Sequence, residues 1–380
     1  MNYKVGSLFA GVGGVCLGFK SAFNEKGGYQ LIWANELDEQ AIKTYRCNFE
    51  HNMIPGDIEK IVKPERAKAD GEEALFAQKK MQMLAQPIDV LTAGFPCQAF
   101  SIAGSRKGFD DHRGNLFYSI IDLVNDLGKV AYKPRILFLE NVKNLRSHDQ
   151  GRTYQVIKSE IENAGYIVKD ATLNTKTYTT LPQNRERMFI VCFLKQSDAD
   201  KFTLFEQLES IKIKSSDDQR RTNIARVLDL HKSKEELNAY YYTPEKYPHY
   251  FINKAQYAAL SEDKRKKERI HIGEEIDTEF EFYQLRRGMY VRKNTQGICP
   301  TLTANMGTGG HNVPLIKVAD GVRKLTPSET FKLQGFPISD GYVLPENMSN
   351  GHLYKQAGNS VSVDLIRLIA NALLDVLQAD

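Results

Sequence analysis

Val5-Gly6-Ser7-Leu8-Phe9-Ala10-Gly11-Val12-Gly13-Gly14-Val15-Cys16-Leu17-Gly18-Phe19 reads as a strand, a glycine turn and the start of an apolar helix, and that succession decides the fold. A strand feeding a helix through glycines presents backbone N–H groups at a helix entrance, which makes a cofactor cradle. The next strand, Gln30-Leu31-Ile32-Trp33-Ala34, ends in Asn35-Glu36-Leu37-Asp38, so a carboxylate falls where open α/β sheets grip a ribose hydroxyl. The glycines do not complete a Gly-x-Gly-x-x-Gly pattern. That argues against a pyrophosphate and for an adenosine-bearing cofactor without one, S-adenosylmethionine rather than NAD.

Outward from that turn, Ile88-Asp89-Val90-Leu91-Thr92-Ala93 reads as a short buried strand that Gly94 and Pro96 end, with Cys97 at the tip of the turn. Ser101 to Gly108 follow as a small, polar, glycine-bearing loop. A lone cysteine after a strand is most often a small buried hydrophobe. Here it stands at a carboxyl strand end, where such sheets hold their ligands, so Cys97 is a candidate nucleophile. Pro134-Arg135-Ile136-Leu137-Phe138-Leu139-Glu140-Asn141-Val142 brings a carboxylate, Glu140, to a strand end on the same rim. Leu181-Pro182-Gln183-Asn184-Arg185-Glu186-Arg187 precedes the strand Met188-Phe189-Ile190-Val191-Cys192-Phe193, and two arginines at alternate positions of an extended segment are expected to share one side.

In this order, over nearly the whole chain, these segments resemble the C5-cytosine-specific DNA methyltransferases of the bacterial restriction-modification type. Phe9-Ala10-Gly11-Val12-Gly13-Gly14 matches the family's cofactor motif, and Gly56-Asp57-Ile58 its adenine contact. Glu36 matches the acidic ribose contact, with Leu37 beside it where the family often has tryptophan. Pro96-Cys97-Gln98 matches the nucleophile motif, followed by Arg113-Gly114-Asn115-Leu116-Phe117; Glu140-Asn141-Val142 matches the acid motif and Gln183 to Arg187 the arginine motif. Arg323 to Pro337 and Gln356-Ala357-Gly358-Asn359-Ser360-Val361 look like the last two motifs. The resemblance implies a Rossmann-like α/β sheet of the S-adenosylmethionine-dependent methyltransferase kind, with a second, smaller, mostly irregular or β target-recognition domain. Residues 1–200 plus 346–380 would hold catalysis and cofactor, and residues 201–345 would read DNA. Pro96 and Leu116 would also line the cofactor, and Asn359, Ser360 and Val361 would meet its methionine end.

The family's chemistry needs these residue types. Cytosine C5 is a poor nucleophile, and a Cys97 thiolate adding to C6 makes C5 enamine-like and able to take a methyl group. Arg185 and Arg187 would favour the thiolate, and a protonated Glu140 would donate to N3 as electrons move there. A stacked cytosine is out of reach, so the nucleotide must be flipped from the duplex. The segment carrying Gln98, Ser101, Arg106 and Lys107, with Arg113 beyond it, would close over the DNA. Arg286, Arg287 and Arg292, near Tyr283 and Tyr290, are the candidates for guanine contacts or, alternatively, for contacts to phosphate alone, and Thr301-Leu302 matches the family's phosphate-contacting landmark. Three other readings compete: a tRNA cytosine methyltransferase with the same motifs, a noncatalytic relative that should lack Cys97, Glu140 or Arg185, and an NAD-dependent oxidoreductase that leaves the Pro96-Cys97-Gln98 turn unexplained.

At 380 residues the chain suits one large α/β domain and a second, smaller unit. With 51 Lys+Arg against 47 Asp+Glu the net charge is +4, so affinity for double-stranded DNA has to come from a local basic surface, for which Lys264-Arg265-Lys266-Lys267-Glu268-Arg269 is one candidate. The 5 cysteines lack Cys-x-x-Cys spacing and the 8 histidines are scattered, so no metal site or disulfide framework is expected and the compartment reads as reducing. With no signal segment and no long apolar run, the expectation is a cytoplasmic monomer without a membrane partner, acting separately from a cognate restriction endonuclease. Lys63 to Lys80 reads as a charged, solvated helical insertion, Asn238 to Pro248 as a tyrosine-rich loop, and Val363 to Leu374 as an amphipathic helix returning to the large domain.

Overall fold

The computed structural model describes residues 2–26, 28–95, 115–265, 272–286, 290–308, 312–338 and 340–379. They pack as two compact units, one of Met1–Leu173, Glu186–Lys212 and Leu365–Asp380, the other of Asn174–Arg185 and Ile213–Asp364. Among the described residues no helix is long and apolar enough to cross a membrane, and no group of His, Cys, Asp and Glu is placed to hold a metal ion.

The first unit is built on a seven-stranded sheet. Its strands are β1 (Tyr3–Leu8), β2 (Tyr29–Glu36), β3 (Asn52–Pro55), β4 (Val90–Gly94), β5 (Ile136–Val142), β6 (Ile167–Asn174) and β7 (Glu186–Phe193), in the order β3-β2-β1-β4-β5-β7-β6. β1 pairs in parallel with β2 and β4, β2 with β3 and β4 with β5, whereas β7 runs antiparallel to β5. The central strands are buried on both faces, which is why they read as continuous apolar runs rather than alternating ones. Strand order departs from β1 in both directions, so the switch point lies between β1 and β4, and the carboxyl ends of those strands are where such a sheet receives a ligand. At that point Thr92 donates to Ser7 Oγ at 3.0 Å, a buried pair between strands in register.

Helices cover the sheet through their apolar stripes. Helix Asn115–Val130 buries Phe117, Ile120, Leu123, Val124 and Leu127, a spacing that keeps one face inward. The stretch expected as a solvated insertion is a correction: it forms helices Ile58–Val62 and Glu73–Leu84, whose Ile61, Val62, Phe76 and Met83 join the sheet's core. Trp33 donates its indole N–H to Met83 O at 3.1 Å, so the charged exterior of this stretch hides an apolar inner side. The carboxyl-terminal helix, Val363–Gln378, extends past its expected end, and its last turn accepts from Tyr3 Oη at Leu377 O, 2.9 Å.

The second unit contains a four-stranded antiparallel sheet: β8 (Phe282–Arg286), β9 (Tyr290–Asn294), β10 (Leu315–Val318) and β11 (Gly321–Lys324), in the order β11-β10-β8-β9. Tyr242, Tyr250, Ile272, Ile276, Tyr283, Leu285 and Leu315 form its apolar cluster. The tyrosine-rich segment is thus packing material rather than a free loop, with Tyr242 stacked on Tyr247 at 4.5 Å between ring centroids. A polar frame accompanies it. Arg323 makes a buried two-pronged ion pair with Glu329 at 2.6 and 2.7 Å, and Glu329 closes a capping box with Thr326 at the start of helix Pro327–Lys332. Asp229 accepts from Thr326 Oγ1 at 3.0 Å and from Lys332 at 2.7 Å. Although burial pushes its carboxyl up, Lys332, Lys232 and Thr326 together hold it below the ordinary aspartate range.

Candidate active site

At the carboxyl end of β1 the backbone takes conformations that L side chains rarely adopt: Phe9 has φ 52°, Gly11 φ 55° and Gly13 φ 88°. The glycines differ in purpose. A Cβ on Gly13 would lie 2.2 Å from the Phe49 ring, so that glycine serves packing, whereas a Cβ on Gly11 would meet nothing within 4 Å, so Gly11 faces open space. Ala10 is buried and Gly14 opens helix Gly14–Lys26. The tips of three strands are laced together: Ala10 N–H donates to Asn35 O at 2.9 Å, Gly56 N–H to Glu36 O at 2.9 Å, and the Asn35 amide to Ile54 O and Gly56 O.

Glu36 ends β2 and organises this rim. Its carboxylate accepts from Gly11 N–H, Leu37 N–H and Asp38 N–H, each at 2.8 Å. A carboxylate has about four lone-pair directions, so the one left over is what a ribose hydroxyl could use. Leu37 is 64% exposed and offers an apolar surface. Asp57 caps helix Ile58–Val62 through one oxygen, on Glu59 N–H at 2.9 Å, while Ile58 is sunk in the core and could meet a ligand only through its backbone. The open space over Gly11, the spare acceptor on Glu36 and the exposed Leu37 fit an adenosine with its ribose.

The acid candidate is equally well placed. Glu140 stands opposite Gly94 in the β4–β5 register and is 8% exposed. Arg187 lies on the same face of β7, diagonal to it across the β5–β7 pair, with its Nε 3.0 Å from Glu140 Oε1. Asn141, which was not expected to act by its side chain, donates to Phe95 O at 2.9 Å and so ties the acid strand to the last residue before Pro96. Pro96, Cys97, Gln98, Ser101, Arg106, Lys107 and Arg113 lie outside the described residues, as do Arg287 and Lys266 to Arg269. Leu116 is half-buried against the core of the first unit.

Arg185 does not join Arg187. Its guanidinium is 1% exposed and donates to Leu302 O at 2.9 Å, to Gly358 O at 3.0 Å and to Ser360 O, all within the second unit. Arg185 was expected to serve the thiolate together with Arg187; β7 starts at Glu186, so the two-residue alternation does not reach back to Arg185, and Cys97 lies outside the described residues. The same knot holds the Thr301-Leu302 pair: Leu302 is buried, with its carbonyl held by Arg185, and Thr301 donates to Asn184 O at 2.5 Å. Asn359 is exposed at the end of helix Asn350–Asn359, while Ser360 and Val361 are buried in the second unit.

Of the base-reading candidates, Arg286 closes β8 half-buried and Arg292 is exposed in mid-β9; Tyr290 is 51% exposed, but Tyr283 is fully buried in the core. Arg286 and Arg292 border a concavity of about 600 Å³ on the second unit, together with Lys176, Lys293, Asn294 and Thr303.

A model of the family described as C-5 cytosine-specific DNA methylase matches residues 3–375. The chain is 41% identical to the type II methyltransferase M.Bsp6I of Bacillus sp. (strain RFL6) over 97% of each chain. It is 34% identical to the type II methyltransferase M.HpaII of Haemophilus parainfluenzae, covering 97% of this chain and 88% of that one. Among solved structures, the Dnmt2 methyltransferase of S. pombe has a similar fold, with a TM-score of 0.61 and 18% identity over 99% of each chain.

Proposed function

The chain belongs to the C-5 cytosine-specific DNA methylase family, and from that premise we propose that it methylates one cytosine within a short specific duplex sequence by flipping that base and attacking it through Cys97. S-adenosyl-L-methionine, the methyl donor of such enzymes, supplies an electrophilic methyl on a sulfonium. Gly11, Glu36, Leu37 and Asp57 are the residues that would hold it, Glu36 through its remaining acceptor position.

The observation that carries the reading is the Glu140–Arg187 pair beside Gly94, three residues before Cys97. The Cys97 thiolate adds to C6, the displaced electron pair moves toward N3, and a proton delivered at N3 by Glu140 neutralises it. Arg187 keeps Glu140 oriented and offers N–H groups to the base oxygen. Once C5 has gained its methyl, loss of the C5 proton restores the double bond and expels Cys97. The flipped base costs roughly a few kcal/mol of stacking and pairing, which contacts from the second unit and from the segment after Cys97 would offset.

In functional terms residues 1–200 plus 346–380 form the catalytic part and residues 201–345 the recognition part. The enzyme acts as a cytoplasmic monomer and shields its target from a separate restriction endonuclease. Bisulfite sequencing of plasmid from an expressing host tests this: every copy of one short motif should resist conversion at one cytosine. Methyl groups found on tRNA cytosine instead, with plasmid fully converted, would overturn it.

A further inference from the structure

One face of the β8–β9 ribbon carries a side chain whose acceptor oxygen has no partner among the described residues. Along β8, Tyr283 and Leu285 enter the apolar cluster, so Gln284 and Arg286 project from the opposite face. The register sets Gln284 against Arg292 and Phe282 against Asn294, which gathers Gln284, Arg286, Arg292 and Asn294 on that face. All four line the 600 Å³ concavity. Gln284 is 7% exposed, and its Oε1 is sealed without a hydrogen-bond partner among the described residues. Native structures leave few buried acceptors unpaired. A half-turn about the last side-chain bond exchanges the amide oxygen and nitrogen within the same outline, so the acceptor can be offered to the groove.

The surroundings say what would come to it. No carboxylate lines the concavity, and Arg286, Arg292 and Lys176 have no acidic partner among the described residues. β9 is an edge strand and β10 pairs only with Phe282 and Tyr283 of β8, so from Gln284 onward β8 and β9 run as a two-stranded ribbon of the width that the major groove of DNA accepts. Within that groove only adenine N6 and cytosine N4 carry hydrogen-bond donors; guanine and thymine present acceptors.

We propose that Gln284 is a specificity-determining residue that selects one base of the target duplex by accepting from its exocyclic amine, adenine N6 or cytosine N4, while Arg286 and Arg292 hold the flanking DNA. The inference rests on the reading of the protein as a duplex DNA methyltransferase and adds the residue, the face and the base chemistry.

The test uses the full chain and a library of random duplexes. Wild type, Gln284→Leu and Gln284→Glu are each used to select bound duplexes in the presence of S-adenosylhomocysteine, and the same library is methylated and read by bisulfite sequencing. Wild type should show one fixed base pair, read through its adenine or its cytosine, whose preference Gln284→Leu flattens by about 5- to 150-fold while the rest of the motif stands. Gln284→Glu, which keeps the acceptor, should retain the amine-bearing base at lower overall affinity. Adenine at that position marks a paired N6 and N7 contact, and cytosine a single contact to N4. Thermal melting checks the fold; should Gln284→Leu not fold, Gln284→Met takes its place. The proposal is overturned by an unchanged motif in a folded variant or by an equal loss for all sequences. Binding preference without any methylation would refute the methyl-transfer reading and leave the role of Gln284 supported.

Discussion

Arg185 and Arg187 are two residues apart and belong to different regions of the molecule: the first ends a segment of the second unit, the second begins a strand of the first. Arg185 places its guanidinium on three backbone carbonyls, and Arg187 sets its own against the Glu140 carboxylate and the Glu186 carbonyl. In the first unit, charge is aimed at where a reaction would occur, and the neutral backbone around it is already satisfied. In the second, charge is used either as internal framework, as in Arg185 and Arg323, or left on an outward ribbon face. On the proposed function, the same residue type would serve catalysis, architecture and recognition according to what its backbone position leaves it to touch.

The largest effect expected is on the nucleophile side. Cys97→Ala should lower methylation by roughly 10³-fold or more and abolish covalent trapping on duplexes containing 5-fluorocytosine, with DNA binding retained; trapping by that variant would remove Cys97 from the mechanism. The contrast between the arginines comes next. Arg187→Lys keeps a charge opposite Glu140, so the fold should persist while kcat falls roughly 10²–10³-fold. Arg185→Lys cannot reach three carbonyls at once; it should cost about 2–4 kcal/mol of stability in the second unit and weaken DNA binding, with cofactor binding kept. Melting curves and kcat measured on both variants decide, and equal behaviour of the two would erase the distinction.

Glu36→Ala should weaken S-adenosylmethionine binding roughly 10- to 100-fold by calorimetry, since it removes the ribose acceptor and frees Gly11 N–H. DNA binding should be unchanged. The smallest effect separates the units by acidity. His51, 2.6 Å from Tyr45 Oη, is pushed down to about 4, first by burial and then by Lys20. An unfolded chain takes up that proton near its ordinary pH of about 6.5, so the unfolded state binds more protons between about 6.5 and 4 and the first unit loses stability as pH falls through that window. Asp229 in the second unit is depressed instead; its contribution is present above the ordinary aspartate range and is lost only as pH falls through its lowered value. Urea melts between pH 4 and 7 should therefore show a slope that His51→Gln flattens. An unaltered slope would place the acid sensitivity elsewhere.

The sheet and the cofactor cradle were legible because their causes are local. Doubly covered strands read as apolar runs, and glycines at positive φ mark the turn after β1. Glu36, Glu140 and Cys97 could be named for the same reason, as carboxyl-end residues of recognisable strands. The division of labour between Arg185 and Arg187 was not legible, because it depends on where β7 begins and on carbonyls more than a hundred residues away. The inner side of the stretch from Ile58 to Leu84 was masked by its lysines and glutamates, although Phe76 and Met83, seven residues apart, do lie on one helical face. Gln284 was within reach: the period-two alternation of Phe282–Arg286 puts it beside Arg286, but its lack of a partner is a fact of three-dimensional packing.

The chain passes between the two units at residues 173/174, 185/186, 212/213 and 364/365, and the helix Val363–Gln378 supplies the last piece of the first unit, where Arg135 and Tyr3 bond to its final carbonyls. During synthesis the amino-terminal strands therefore wait for residues 365–378 before this helix can pack in their unit. A chain cut short before residue 365 lacks this helix, so its first unit is incomplete.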